Sequence, residues 1–238
     1  MLFGGLQRTT LIDYPGKIAC TVFSVGCNFA CPFCHNKDLV SEKLFTESGI
    51  SEVSEKEIFD FLAKRRGILE GVCITGGEPC LNPDLPHFIK KIKNLDYSVK
   101  LDTNGSNPEM LKKLIEERLI NYVAMDIKTN FSNYEEVIRV KNYESRIKKS
   151  IELILKSKID YEFRTTIVPT LHTKETLLKL AKYLKSLNSQ FNWYLQPFRP
   201  QNCLDPQFLK IEPYTYNQLK QILKVIKKIL PTTKLRGE

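Results

Sequence analysis

Short runs of β-branched and aromatic residues alternate along the chain with longer stretches in which apolar side chains recur every three or four positions. The runs Ile18–Ser24, Val72–Thr75, Ser98–Asp102, Tyr122–Ile127, Tyr161–Val168 and Trp193–Pro197 read as strands. Between them, Leu85, Phe88, Ile89, Ile92 and Leu95 follow an i, i+3, i+4, i+7 spacing, as do Leu177, Leu180, Ala181, Leu184 and Leu187, and both sets predict amphipathic helices. Ser54 with Glu57 has the form of a capping box, and Asn107-Pro108 that of an N-cap followed by proline. Six strands alternating with helices imply a parallel sheet joined by right-handed crossovers. The expected fold class is α/β, a partial (β/α)6 barrel open at the side, with a doubly wound open sheet as the alternative. One domain is expected over 1–238, with its core at about 18–199 and a C-terminal helix at about 213–230.

The unusual polar residues fall just after the predicted strands. A cysteine loop follows the first, Gly76-Gly77-Glu78-Pro79 the second, and Thr103-Asn104-Gly105 the third, which ends at Asp102. Asp126 and Lys128 close the fourth strand, Arg164 lies on the fifth, and Gln196-Pro197-Phe198-Arg199 closes the sixth. In barrels and open α/β sheets, chemistry gathers at the carboxyl ends of strands. Asp102 and Asp126 would share one rim on neighbouring strands, and two carboxylates so placed need a cation or a shared proton. Each segment also has a plainer reading: a strand-to-helix turn for the glycines, an Asn-Gly turn for the third loop, a surface ion pair for Asp126 and Lys128. Arg164 is read equally well as the partner of an acidic neighbour.

The cysteine loop is more specific. Cys27, Cys31 and Cys34 have the spacing C-x3-C-x2-C. Cubic iron–sulfur clusters usually take four thiolates; three in reach leave one iron open, as a catalytic centre requires. The rival is a zinc-bearing binding module, but structural zinc takes four ligands and His35 is poorly placed as the fourth. Colour distinguishes the two, since an iron–sulfur protein prepared without oxygen is brown.

With Phe33 as the aromatic before the third cysteine, this loop resembles the signature of the radical S-adenosylmethionine superfamily. The resemblance runs from Asp13-Tyr14-Pro15-Gly16 to Gln196-Pro197-Phe198-Arg199-Pro200. Within the superfamily the chain is similar to the activating enzymes of glycyl-radical enzymes, and most similar to the anaerobic ribonucleoside-triphosphate reductase activators. That similarity rests on Asp13-Tyr14-Pro15-Gly16 and on Gly26-Cys27-Asn28-Phe29-Ala30-Cys31-Pro32-Phe33-Cys34-His35-Asn36. The resemblance implies a 4Fe–4S cluster on the three cysteines and S-adenosylmethionine as cofactor. It implies that Gly76, Gly77 and Glu78 hold the cofactor's amino group, with Phe33 and Asn104 in the same site. It further implies that Asp102 and Asp126 ligate a monovalent cation beside the cofactor carboxylate, which Lys128 faces, and that Arg164 is the arginine of the fifth strand. Pyruvate formate-lyase activators carry a histidine where this chain has Phe198-Arg199, which favours the reductase branch; pyruvate formate-lyase, another glycyl-radical enzyme, or a small molecule stays open as the alternative substrate. The implied partners are a glycyl-radical enzyme and an electron donor such as flavodoxin or ferredoxin.

Composition changes this picture little. The chain has 238 residues, 36 Lys and Arg against 27 Asp and Glu, and a net charge of +9. The lysines beside Leu219, Ile222, Leu223 and Ile226 fall on a solvated helix face, so a nucleic-acid partner is not the preferred reading, and an acidic protein fits the charge equally well. With seven cysteines, three of them within eight residues, and neither signal peptide nor apolar span, a cytoplasmic metal site is expected rather than a disulfide framework. Cys20, Cys73, Cys80 and Cys203 form no second triplet and default to small buried hydrophobes. Cys80, next to Glu78, is weighed as a residue lining the site.

Overall fold

The computed structural model describes residues 1–187 and 192–236. Among the described residues eight strands form one sheet in sequential order: β1 (Phe3–Thr10), β2 (Ala19–Ser24), β3 (Gly71–Gly76), β4 (Ser98–Thr103), β5 (Tyr122–Asp126), β6 (Asp160–Ile167), β7 (Trp193–Pro197) and β8 (Lys234–Leu235). β1 runs antiparallel to β2, and every later pairing is parallel. The sheet does not close, because β1 and β8 are its two edges. The six expected strands are β2 to β7.

Eight α-helices accompany the strands among the described residues: α1 (Glu42–Ser48), α2 (Glu55–Lys64), α3 (Leu85–Lys93), α4 (Pro108–Glu116), α5 (Tyr134–Ile138), α6 (Glu144–Lys156), α7 (Lys174–Leu187) and α8 (Tyr216–Lys227). Their starts follow the chemistry of the sequence. Ser54 and Glu57 exchange both capping bonds at α2, and Asn107 accepts from the Met110 amide with Pro108 in the first turn of α4. Apolar stripes then bury Leu85, Phe88, Ile89 and Ile92 on α3 and Leu177, Leu180, Ala181 and Leu184 on α7. No helix of the described residues is long and apolar enough to cross a membrane.

Two edges depart from the expectation. The N-terminal segment is itself a strand, and a short strand follows the last helix. β1 escapes a periodicity reading because Gly4 and Gly5 interrupt it and Gln7, Arg8 and Thr9 are exposed. Gly4 is tolerated for a packing reason, since a Cβ there would lie 2.3 Å from Leu39 Cδ2. β8 is only two residues long, too short to carry any alternation.

The inner face of the sheet is more polar than an ordinary barrel core. Lys100 and Glu162 are buried inside it, with Asp102, Asp126 and Arg164 around them. At one end Glu162 accepts from Tyr122 Oη at 3.2 Å and pairs with Arg236, which follows β8.

Candidate active site

One cavity opens at the carboxyl ends of β2 to β6. The cysteine loop after β2 supplies Cys27, Phe29, Cys31, Phe33, Cys34 and Asn36; β3 supplies Thr75, Gly76 and Gly77; β4 supplies Asp102, Thr103 and Asn104. Asp126 and Lys128 enter from the end of β5, and Arg164 and Thr166 from β6. Of the cofactor and cluster residues that the resemblance implies, Glu78 lies outside this lining, and so do Cys80, Gly105 and Gln196-Pro197-Phe198-Arg199.

The cysteine loop is held by its neighbours. Gly26 N donates to Leu39 O at 2.8 Å, Cys27 N to Val40 O at 2.8 Å, and Ala30 N to Ile138 O at 2.9 Å. The glycine segment grips the same loop: Glu78 N donates to Gly26 O at 2.7 Å, and Asn36 Nδ2 donates to Gly76 O at 3.0 Å. A Cβ on Gly77 would fall 2.2 Å from Gly26 O, so glycine is required for this backbone approach. Phe33 is buried and meets the ring of His172 edge-on, with centroids 6.2 Å apart. Nδ1 of His172 accepts from Val168 N at 3.0 Å, which leaves Nε2 to donate to Lys128 O at 2.6 Å.

Burial pushes the thiols of Cys27 and Cys31 up, to about 12 and about 11, against the pull of the Phe29 amide on Cys27 and of Lys128 on Cys31. Cys34 is raised for the same reason, again opposed by Lys128. Metal binding must therefore displace protons. Among the described residues no three His, Cys, Asp or Glu side chains converge on a single ion site; the three sulfurs ring the cavity instead. This donor set, three soft sulfurs lining one cavity, fits a polynuclear iron–sulfur cluster.

Glu78 behaves differently from the sequence expectation. Its side chain is buried beneath the cavity, where Oε1 accepts from Cys80 N at 3.0 Å and Thr103 Oγ1 at 2.7 Å, and Oε2 accepts from Asn104 N at 2.6 Å. Its carboxylate is thus engaged by protein donors, and what the Gly-Gly-Glu segment offers the cavity is backbone. Asn104 passes the order on, with Nδ2 donating to Asn28 Oδ1 at 3.1 Å and lying 3.8 Å from Cys27 Sγ.

Asp102 and Asp126 do share a rim, and protein cations join them. Arg164 lies between the two, Nη1 donating to Asp102 Oδ2 at 3.1 Å and Nε to Asp126 Oδ1 at 2.8 Å. Lys128 Nζ donates to Asp126 Oδ2 at 3.1 Å, and Lys100 Nζ pairs with Asp102 Oδ1. Burial opposes ionisation of Asp126, but Arg164 and then Lys128 outweigh it and hold its carboxyl at about 2. At Asp102 the same opposition is overcome by Arg164 and Lys100. Lys100, Thr166 and His172 were not singled out in the sequence, and Asn36 and Thr75 were named there only as members of longer segments. Only Lys100 carried a visible signal, two positions before Asp102 on the same face of a strand.

Known proteins resemble this chain in sequence and in fold. The family model of the radical SAM superfamily matches residues 21–187. A Methanocaldococcus jannaschii protein described as "Putative glycyl-radical enzyme activating enzyme" is 32% identical over 99% of this chain and 95% of its own length. A pyruvate formate-lyase-activating enzyme of Clostridium pasteurianum is 26% identical over 94% of this chain and 96% of its own. Among solved structures, a domain of pyruvate-formate lyase-activating enzyme from Bacteroides vulgatus superposes with a TM-score of 0.57 at 19% identity, covering 70% of this chain and 99% of that one. Streptococcus suis SuiB bound to the precursor peptide SuiA gives a TM-score of 0.67 at 16% identity over 91% of this chain and 48% of SuiB, a likeness of fold alone. The chain belongs to the radical S-adenosylmethionine superfamily, among the activating enzymes of glycyl-radical enzymes.

Proposed function

We propose that Cys27, Cys31 and Cys34 hold a 4Fe–4S cluster, that the adjoining cavity binds S-adenosylmethionine, and that the enzyme generates a glycyl radical on anaerobic ribonucleoside-triphosphate reductase. The observation that carries this reading is the single cavity ringed by three thiols of one loop, two paired aspartates, Lys128 and Arg164. When bound on Cys27, Cys31 and Cys34, the cluster would supply one-electron reduction of the cofactor. The chain's own residues bind and orient. Backbone at Gly76 and Gly77 lies against the cysteine loop and faces the cavity, where carbonyls suit an ammonium. Lys128 and Arg164 carry the positive charge that suits the cofactor carboxylate, each already fixed by a carboxylate partner. Hydrogen-atom abstraction needs no general base, which accords with a cavity whose only histidine in the lining is His35.

A protein substrate is supported by the open side of the sheet between β1 and β8, where a polypeptide loop can enter and shield the radical from water. The reductase is favoured over pyruvate formate-lyase by Phe198-Arg199 and by the Asp13-Tyr14-Pro15-Gly16 segment. Flavodoxin or ferredoxin in an anaerobic cytoplasm would supply the electron.

The test mixes dithionite-reduced, reconstituted protein, S-adenosylmethionine and the anaerobic reductase of the same source. It records 5′-deoxyadenosine by chromatography and the protein radical by electron paramagnetic resonance. A glycyl doublet that disappears when the reductase glycine becomes alanine supports the proposal. A doublet only with pyruvate formate-lyase keeps the activity and rejects the target. No protein radical, alongside turnover of a small molecule, rejects the activase reading. Iron and sulfide should bind stoichiometrically to wild type and to Cys203→Ala but not to Cys27→Ala, Cys31→Ala or Cys34→Ala; retention by Cys27→Ala would remove the cluster assignment.

A further inference from the structure

Two half-buried aspartates on one rim need a cation, and the residues of this chain supply it. Lys100 lies in the middle of β4 with its side chain 2% exposed, inside the sheet rather than on its surface. Its Nζ pairs with Asp102 Oδ1 and stands 3.7 Å from Cys73 Sγ. The Cys73 thiol lies 3.8 Å from the same oxygen and points its hydrogen there, because burial, followed by the charge of Asp102, holds it protonated. Asp102 Oδ2 accepts from Arg164 Nη1 at 3.1 Å and from Thr75 Oγ1 at 3.3 Å. Asp126 offers Oδ1 to Arg164 Nε at 2.8 Å and Oδ2 to Lys128 Nζ at 3.1 Å. Each of the four carboxylate oxygens therefore already faces a cationic nitrogen, and Lys100, Arg164 and Lys128 outnumber the two carboxylates by one.

This disagrees with the metal ion that the resemblance implies at Asp102 and Asp126. A potassium or sodium ion would have to compete for oxygens already engaged by three protein cations. We propose that Lys100 is the built-in cation of the Asp102–Asp126 pair, a positioning residue that fixes Asp102 and through it Arg164, so that the cofactor cavity recruits no alkali ion. The inference deepens the proposed function, and its first test needs neither cluster nor cofactor.

Melt the cluster-free protein in KCl, NaCl and choline chloride at equal ionic strength. The wild type and Lys100→Arg are expected to melt identically in all three. Lys100→Met, close in length but uncharged, should melt lower in choline and regain part of the loss in KCl or NaCl, since choline is too large to take the vacated place. Selective stabilisation of wild type by KCl or NaCl would overturn the proposal, and this arm decides even where Lys100→Met does not fold. Equal destabilisation of Lys100→Met in all three salts would show Lys100 to be a packing residue only.

The second arm measures S-adenosylmethionine binding to reconstituted protein by calorimetry. The wild-type dissociation constant should be the same within about twofold across the salts, whereas Lys100→Met should bind about tenfold more weakly in choline and recover in KCl. A wild-type constant that tightens in KCl would overturn the inference. No cofactor binding by wild type in any salt would reject the proposed function and leave the melting arm to judge Lys100.

Discussion

Replacing Glu78 separates two readings of the Gly-Gly-Glu segment. The resemblance implies that Glu78 helps hold the cofactor's ammonium, so that Glu78→Ala would weaken cofactor binding. In the structure its carboxylate accepts from the Cys80 and Asn104 amides and the Thr103 hydroxyl, fully enclosed. Truncation strands three buried donors, at about 1–3 kcal/mol each where no water can enter. Thr103 Oγ1 can turn to other partners, and it already accepts from Gly105 N at 3.1 Å. A loss of about 3–5 kcal/mol follows, a large share of the roughly 5–15 kcal/mol that holds a domain folded. Glu78→Gln keeps the volume and one acceptor but turns an amide N–H toward the Asn104 amide or the Cys80 side, at about 1–3 kcal/mol. The assay is equilibrium urea unfolding of cluster-free protein, with Glu116→Ala, on the exposed end of α4, as control. If Glu78→Ala unfolds at the midpoint of Glu116→Ala while cofactor affinity collapses, the carboxylate faces the cofactor and this account of the site is wrong.

Gly77→Ala should abolish iron and sulfide incorporation while leaving far-ultraviolet circular dichroism near wild type, because its Cβ would sit 2.2 Å from Gly26 O and displace the loop that carries Cys27; full incorporation would refute the contact. Gly105→Ala should lower thermal stability sharply, since φ is +75° and the new Cβ would lie 2.0 Å from Met125 Cε. His172 gives a pH dependence of known sign. Burial holds it below its usual value, so below about pH 6.5 the unfolded chain binds a proton that the native state does not, and stability is lost as pH falls. Urea midpoints of wild type should decline more steeply from about pH 6.5 to 5 than those of His172→Gln; parallel declines would refute the assignment.

β2 to β7 were legible because strands of a parallel sheet are buried on both faces and read as apolar runs bounded by turn residues. β1 is an antiparallel edge rich in glycine and polar residues, and β8 owes its place to pairing with β7 rather than to its own two residues. The charged interior was half legible. Period-two alternation places Lys100 with Asp102, and Glu162 with Arg164, on one face. Their pairing across strands depends on register, which sets Asp126 opposite Arg164 and Asp102 opposite Ala124, and no single strand states that. Glu78 was misplaced for a local reason. Glu78-Pro79 opens a 3-10 turn over Pro79–Leu81, and the side chain caps it by accepting from Cys80 N. The N-cap-then-proline logic that located α4 at Asn107-Pro108 applies here too, and it turns the carboxylate under the loop instead of into the cavity.

The three loops that build the cavity are bonded to one another in a closed triangle. The glycine segment holds the cysteine loop through Glu78 N to Gly26 O and Asn36 Nδ2 to Gly76 O. The Glu78 carboxylate ties the glycine segment to Thr103 and Asn104. Asn104 Nδ2 and Ser106 Oγ return to the cysteine loop at Asn28 Oδ1, at 3.1 and 3.2 Å. Each side is made of backbone groups or of buried and half-buried side chains, so the ordering entropy of the loops is met by folding and not charged to ligand binding. Energetic coupling is then expected between residues that never touch the same ligand: Glu78 and Asn36 lie on different sides of the triangle, and removing one leaves the cysteine loop dependent on the other. In a double-mutant cycle, Glu78→Gln and Asn36→Ala should together cost more cluster affinity than the sum of their separate effects, and strict additivity would mean that the loops are ordered independently.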